Sequence, residues 1–482
     1  MYNQTMKTNN HQLPYDPTSR DSILEYGRQL LGKSLRALHP DAIEYSSGKG
    51  RMGQSVEKYH FGYTPNSEAE PDFAEAGVEL KCTPMKVNAD GSMVSKERLV
   101  LNIIDYVAEA QASFSKSSFW HKNQLLLLMF YLHENGMNVV DLVFKIIRFW
   151  EFPDVDRKII QDDWNKLHRK MANGLAHEIS EGDTLYLGAC TKGSKAGAEM
   201  RAQYVPDAPK AQQRAYAIKS KYLNTVILES LSHPEMCDSV FVSDKQKKMI
   251  QRTVVEASNL VNSLGEYREG ETFEQLVERR FVPYYGRNIY EIEELTGWKI
   301  SDNPKSISNK VIHAILGVKT PKIMEFEKAN LQQKSIRLEA SGVLRESMVF
   351  SQIDYKGIVQ EQEWEESVWY ETLTQRFLFV VFRKDAGKDN KKAVLEKVFF
   401  WTMPRQDLTV AQKFWEDTKS KIAADDFSHF WKLADHKICH VRPKAKNSAD
   451  KMEAPSGRMV TKKGYWLNAD YVLSIVNSRT CT

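Results

Sequence analysis

Cysteine is scarce and unpaired in this sequence: Cys82, Cys190, Cys237, Cys439 and Cys481 are odd in number and lie far apart. With no Cys-x-x-Cys pair and no Cys/His cluster, neither a zinc site nor a disulfide framework is expected, and a reducing cytoplasm fits best. Long hydrophobic runs are missing too. The longest, Leu125 to Leu132, falls far short of the roughly 20 apolar residues of a spanning helix and reads as a buried strand. The first residues are polar and Asn-rich, without the apolar segment of a secretory leader. No charge sign dominates either. A net charge of +4 permits local patches for nucleic acid without arguing for them.

What remains is an ordinary globular composition, 42% hydrophobic and 27% charged over 482 residues, enough for two or three domains with sizeable cores. Residues 1–20 read as a flexible tail. A first domain is expected over 21–232, a mostly helical linker over 233–270 and a second domain over 271–482. Helical periodicity begins at Asp21, and Gly53 to Phe61 reads as a helix carrying Glu57. Alternation predicts strands over 97–106, 123–132, 139–152 and Thr184 to Leu187, a loop over Ser117 to His121, and a helix over 216–230. Asp156 is expected to N-cap a helix reaching Met171.

One stretch carries chemistry. In Glu70-Pro71-Asp72-Phe73-Ala74-Glu75-Ala76-Gly77-Val78-Glu79-Leu80-Lys81, a loop bearing Asp72 runs into a strand starting near Gly77. Successive strand side chains alternate faces, so Glu79 and Lys81 share one face while Val78, Leu80 and Cys82 share the other. Asp72 can fold back onto the Glu79 face. Two carboxylates beside an ammonium suit Mg²⁺, which takes one or two carboxylates plus waters and a phosphate oxygen. The lysine can orient or deprotonate water, or neutralise charge developing on a phosphate. This is the P-D-x6-E-x-K arrangement of the PD-(D/E)xK nucleases. Taken alone, three charged residues at such loose spacing are more often a solvated strand edge. Glu57, 15 residues before Asp72, reads either as an exposed helix charge or as a further carboxylate for the site. Lys122, at the entry to the strand expected beside the motif, reads either as a solubilising charge or as a site member. The basic, small-residued loop Cys190-Thr191-Lys192-Gly193-Ser194-Lys195 can approach a phosphate or a base edge closely.

The second half restates the first at an offset of about 250 residues. Glu97 to Tyr106 matches Glu346 to Tyr355, and Gln124 to Phe130 matches Gln375 to Val381. Asp156 with Trp164 recurs as Asp407 with Trp415, and Tyr216 with Tyr222 as Tyr465 with Tyr471. Extended to the motif, the offset sets Asn330 against Asp72, Arg337 against Glu79, Glu339 against Lys81, Leu373 against Lys122 and Ile312 near Glu57. On that pairing the second copy has lost its metal ligands. It keeps a basic loop, Arg442-Pro443-Lys444-Ala445-Lys446, opposite Cys190-Thr191-Lys192-Gly193. An Arg there can grip phosphate or guanine.

The first copy resembles the MutH mismatch-repair nickases. The whole chain resembles the two-domain, MutH-like type II restriction endonucleases that cut at 5′-GATC. The likeness rests on PDFAEAGVELKCTP, SKERLVLNIIDY, AHEISEGDTLYLGACTKG and HVRPKAKN, and runs over nearly all of residues 21–480. It implies a mixed α/β chain of two tandem restriction-endonuclease-like domains, the second catalytically degenerate. It also implies Mg²⁺-dependent hydrolysis of double-stranded DNA (Mn²⁺ substituting), with Asp72, Glu79 and Lys81 as catalytic core and Glu57 and Lys122 in support. Glu57 stands one residue further from the motif than in the nickases. Their Arg-Pro-Lys recognition core survives only at Arg442-Pro443-Lys444, with Lys446 beyond it, while Lys192, Gly193 and Ser194 mark the first copy's loop. Because a palindromic site has two equivalent scissile phosphates and each chain one competent motif, a DNA-induced dimer with the second domain as effector is expected, with a cognate methyltransferase as functional partner. A mismatch-repair nickase and a non-enzymatic DNA-binding protein are the alternatives. The duplication speaks against the first, and the intact motif against the second.

Overall fold

The structure is a computed structural model describing residues 13–44, 50–65, 69–192, 200–238, 240–303, 306–387, 389–435 and 438–479. It divides into two compact units. The first comprises residues 1–179, 186–264 and 327–329, and the second residues 180–185, 265–326 and 330–482.

In the first unit, α1 (Arg20–Arg28) and α2 (Arg51–Tyr59) precede β1 (Glu79–Val87), β2 (Met93–Ser95) and β3 (Leu99–Ile103). Next come α3 (Ser118–Asn123), β4 (Leu125–Leu132), β5 (Phe144–Glu151) and α4 (Asp154–Ala172). β6 (Leu187–Thr191), β7 (Arg214–Ile218) and α5 (Ser220–Leu231) complete it. One sheet has the order β2-β1-β4-β5 and the other β3-β7-β6. β1 and β4 run parallel, with Glu79 opposite Leu126. Parallel strands are covered on both faces, which is why β4 is apolar without alternation. Ile23 and Leu30, Met52 and Val56 of α2, and Val78 and Leu80 pack with Leu127 and Met129 into one core.

Several local expectations shift. The segment from Ser117 is helical, because the Ser117 hydroxyl caps it by accepting the Trp120 N–H at 3.1 Å, and Phe119 and Asn123 turn inward one turn apart. Lys122 therefore sits in the last turn of a helix, and the strand it is expected to open starts at Leu125. Val139–Asp141 is a single 3₁₀ turn and the strand starts at Phe144. Pro153 is the N-cap position of α4, and Asp156 lies buried in its first turn, accepting the Tyr222 hydroxyl at 2.9 Å. Residues 187–191, not 184–187, form the strand, and 214–218 is a strand ahead of the helix.

The second unit repeats the plan with α6 (Ile307–Leu316), β8 (Gln332–Leu338), β9 (Met348–Gln352), α7 (Val368–Leu373) and β10 (Phe377–Arg383). β11 (Val394–Trp401), α8 (Arg405–Ala423), β12 (Cys439–Pro443), β13 (Lys463–Leu467) and α9 (Ala469–Asn477) follow. The sheet orders are β8-β10-β11 and β9-β13-β12, and β8 and β10 are again parallel. Even buried polar bonds recur. Trp164 donates to Glu109 at 3.2 Å and Trp415 to Glu361 at 2.7 Å, while Tyr471 repeats the Tyr222 bond onto Asp407 at 2.7 Å.

Strand register corrects the pairing of the two motifs. Leu126 and Phe377 are equivalent, since they face Trp150 and Trp401 in the same ladder position. Glu79 lies opposite Leu126, and Gln332 opposite Phe377. Glu79 thus corresponds to Gln332 and Lys81 to Lys334, not to Arg337 and Glu339. The preceding turn agrees. Val78 N–H reaches Phe73 O and Leu331 N–H reaches Phe326 O, while Gly77 and Asn330 both take a left-handed conformation (φ 65° and 52°). Asn330 therefore corresponds to Gly77, and Glu325 to Asp72. Ser367 caps α7 as Ser117 caps α3, which sets Lys122 against Thr372 and not Leu373. The sequence offset failed at the motif because the loops on either side of it differ in length. Ile312, expected near Glu57, is buried in α6, a helix with no carboxylate.

Candidate active site

The site is built at the start of β1. Phe73 and Val78 form a one-residue-pair β-bridge, which closes a turn that needs the left-handed Gly77. This turn folds Asp72 against Glu79: the Asp72 N–H donates to Glu79 Oε2 at 3.1 Å, and Asp72 Oδ2 accepts the Leu80 N–H at 2.9 Å. Glu79 is only 1% exposed. Lys81, two residues on and on the same face, donates from Nζ to Glu79 Oε1 at 2.5 Å. Lys122, held out by the last turn of α3, places its Nζ 3.7 Å from Glu79 Oε2. Glu57 enters from α2. All five residues singled out by sequence converge here.

Charge crowding is severe. Burial, and then the Glu79 charge, push the Asp72 carboxyl up to about 7, although Lys81 and Lys122 pull the other way. Burial, then Asp72, push Glu57 up to about 7 as well. Burial works against the Lys81 ammonium, yet Glu79 and Asp72 outweigh it and its pKa is raised. Three carboxyls thus face two ammonium groups, Lys81 and Lys122, whose pull does not cancel the burial and mutual repulsion of Asp72 and Glu57. Among the described residues no group of three His, Cys, Asp or Glu side chains is already arranged around a metal position. A hard divalent ion held by two carboxylates, with water and phosphate completing its shell, does not need such a group. Asp72 and Glu79 fit that ion: both are oxygen donors, Asp72 half-buried and Glu79 buried, and they repel each other.

Sequence reasoning missed Tyr63. Its hydroxyl is buried with no hydrogen-bond partner among the described residues, and burial, then Asp72 and Glu57, raise its pKa strongly. Its place just beyond the helix bearing Glu57 was the available signal.

The expected DNA contacts are more dispersed. Lys192 is half-buried at the end of β6, its N–H bonded to Gln213 O at 2.8 Å. Gly193 and Ser194 lie outside the described residues. In the second unit Arg442, Lys444 and Lys446 are exposed. The Arg442 guanidinium stacks 5.0 Å over the Trp466 ring, Lys444 Nζ donates to Phe350 O, and the Lys446 N–H donates to Asp450 at 2.9 Å. Register confirms that Cys190-Thr191-Lys192 and Arg442-Pro443-Lys444 are equivalent, since Ala189 faces Tyr216 as Val441 faces Tyr465.

Comparison with known proteins finds relatives of two kinds. The family described as the DNA mismatch repair enzyme MutH matches residues 61–163, the segment holding Asp72, Glu79, Lys81 and Lys122. The type II restriction enzyme Sau3AI of Staphylococcus aureus is 31% identical over 509 aligned residues, covering 94% of this chain and 97% of that protein. DNA mismatch repair protein MutH of Serratia proteamaculans is 25% identical over 38% of this chain and 82% of its own length. The Haemophilus influenzae MutH is 24% identical over 34% and 74%.

Proposed function

The chain belongs to the MutH-like type II restriction enzymes and is a site-specific deoxyribonuclease; from that premise we propose that it cuts double-stranded DNA at 5′-GATC with Mg²⁺. The observation that carries the chemistry is the convergence of Asp72, Glu79 and Lys81 at the start of β1.

In this reading Asp72 and Glu79 hold the ion, with Mn²⁺ able to substitute. The ion supplies Lewis-acid charge on the phosphate and lowers the pKa of water. Lys81, bonded to Glu79, is delivered beside the scissile phosphate, where its ammonium orients the attacking water and offsets charge developing on the phosphoryl oxygens. Lys122 supports the same charge from the α3 side. Glu57 adds a carboxylate at the edge of the site, placed to accept a proton or hold a water.

The second unit keeps the scaffold but has Gln332 for Glu79, Thr372 for Lys122 and no acid on the helix equivalent to α2. That leaves Glu325 as the one carboxylate equivalent to a site member, where the first unit offers three. We assign DNA binding to this unit, with Arg442, Lys444 and Lys446 as contacts beside Lys192, Gly193 and Ser194 of the first. One competent site per chain cannot cut both strands of a palindrome in one docking. Two chains assembling on DNA, with the second unit holding a GATC copy as effector, meet that requirement; about 1–3 kcal/mol of coupling suffices. A cytoplasmic location beside a methyltransferase for the same site completes the proposal. Among the described residues no helix is long and apolar enough to cross a membrane.

Digestion of a plasmid of known sequence with Mg²⁺, followed by end mapping, tests the assignment. Ends at every GATC are expected; ends elsewhere, or nicks alone, refute it.

A further inference from the structure

The second unit lost Glu79 and Lys122 but kept the lysine. Lys334, the counterpart of Lys81, donates from Nζ to Val349 O at 3.3 Å and lies 4.6 Å over the Phe350 ring. Lys444 donates to the next carbonyl, Phe350 O. To get there its side chain leaves the end of β12 and crosses the central strand β13 at Gly464. A Cβ at 464 would stand 2.9 Å from Lys444 Cδ and 3.0 Å from Ser351 O, so only glycine leaves the path open. The first unit has Ala215 in that place, facing Cys190 as Gly464 faces Arg442. The crossing is special to the second copy.

The two ammonium groups bond the carbonyls of successive residues, near enough that the Lys444 charge bears on Lys334, and among the described residues neither has a carboxylate partner. Burial weakens the hold of Lys334 on its proton, and Lys444 weakens it further. Like charges without a counter-ion are costly where one of them, Lys334, is half-buried, and the neutral amide Gln332 does nothing to relieve them. The arrangement is incomplete without an anion.

We propose that the vestigial metal site of the second unit binds a DNA backbone phosphate directly, with the Lys334 and Lys444 ammonium groups in place of the metal. The phosphate is the one equivalent to the scissile phosphate of the first unit, held but not hydrolysed. This rests on the reading that the second unit binds DNA.

The test uses the full chain carrying Glu79→Ala and a GATC duplex, with affinity measured across a salt series. The double variant Lys334→Gln/Lys444→Gln should bind about tenfold more weakly. Its log–log salt slope should fall by about 0.9, the loss of one phosphate contact. Gly464→Ala, which displaces Lys444, should move in the same direction. Lys334→Arg/Lys444→Arg, keeping both charges, should preserve the slope and shows that the scaffold tolerates substitution. In the unmutated site, duplex should protect Lys334 and Lys444 from reductive methylation. An unchanged slope in the Gln variant together with weakened binding by Arg442→Ala overturns this site while leaving the second unit a DNA binder. Unchanged binding in every variant, Arg442→Ala included, overturns the reading beneath it as well.

Discussion

Asp72→Asn should stabilise the metal-free enzyme while abolishing cleavage. In the folded protein the Asp72 carboxyl is pushed from the ordinary aspartate range up to about 7, first by burial and then by Glu79. A displacement of roughly three pH units, at about 1.4 kcal/mol each, sets a ceiling of about 4 kcal/mol on the cost of keeping it ionised near neutral pH. The asparagine retains an oxygen for the Leu80 N–H but leaves its amide nitrogen seeking a partner, which costs about 1–2 kcal/mol. The net gain is then about 2–3 kcal/mol, or about 4–12 °C in Tm for a unit of this size. The pH dependence has a definite sign. A carboxyl whose folded pKa is raised binds more protons folded than unfolded between the ordinary aspartate value and about 7. Stability from it is therefore lost as pH rises through that window. Calorimetry in EDTA should show the parent gaining stability from pH 7.5 to 5.5 and the variant gaining much less, with Glu57 supplying the remainder. Mg²⁺ should raise the parent Tm at pH 7.5 and leave the variant unmoved. A variant melting at or below the parent in EDTA at pH 7.5 would refute the argument that these carboxyls are held together against their repulsion.

Three further outcomes follow from the same geometry. Glu79→Ala or Lys81→Ala should cut plasmid at least a hundredfold more slowly yet bind GATC duplex, and Ca²⁺ should support binding with little cutting; normal digestion by Glu79→Ala removes the assignment. Tyr63→Phe should leave metal-free stability unchanged or raise it by about 1 kcal/mol, since the hydroxyl it removes is buried and has no partner among the described residues. A loss of stability in thermal melts would mean that the hydroxyl is bonded in solution. Plasmids with two GATC sites should be cut faster than those with one, and an uncleavable GATC oligonucleotide should stimulate the latter; equal rates with no stimulation leave the effector role unsupported.

Much of the site was legible because it depends on short-range rules. Alternation along β1 set Glu79 and Lys81 on one face, and the loop before it had only one way to bring Asp72 back, through a turn closed at Gly77. The duplication was legible too, as buried Trp, Tyr and Asp positions recur where the core demands them. What tertiary structure alone decided was register. An offset read from loops drifts with every insertion, whereas a ladder fixes which residue faces which. Pairing across the sheet moved the counterpart of Glu79 from Arg337 to Gln332 and that of Lys81 from Glu339 to Lys334. The convergence of Glu57 and Lys122 was likewise out of reach of spacing alone, since it depends on how α2 and α3 pack beside β1. The lysine pair over Gly464 depends on one missing Cβ in a central strand. Sequence shows a glycine there; only the sheet shows what crosses it.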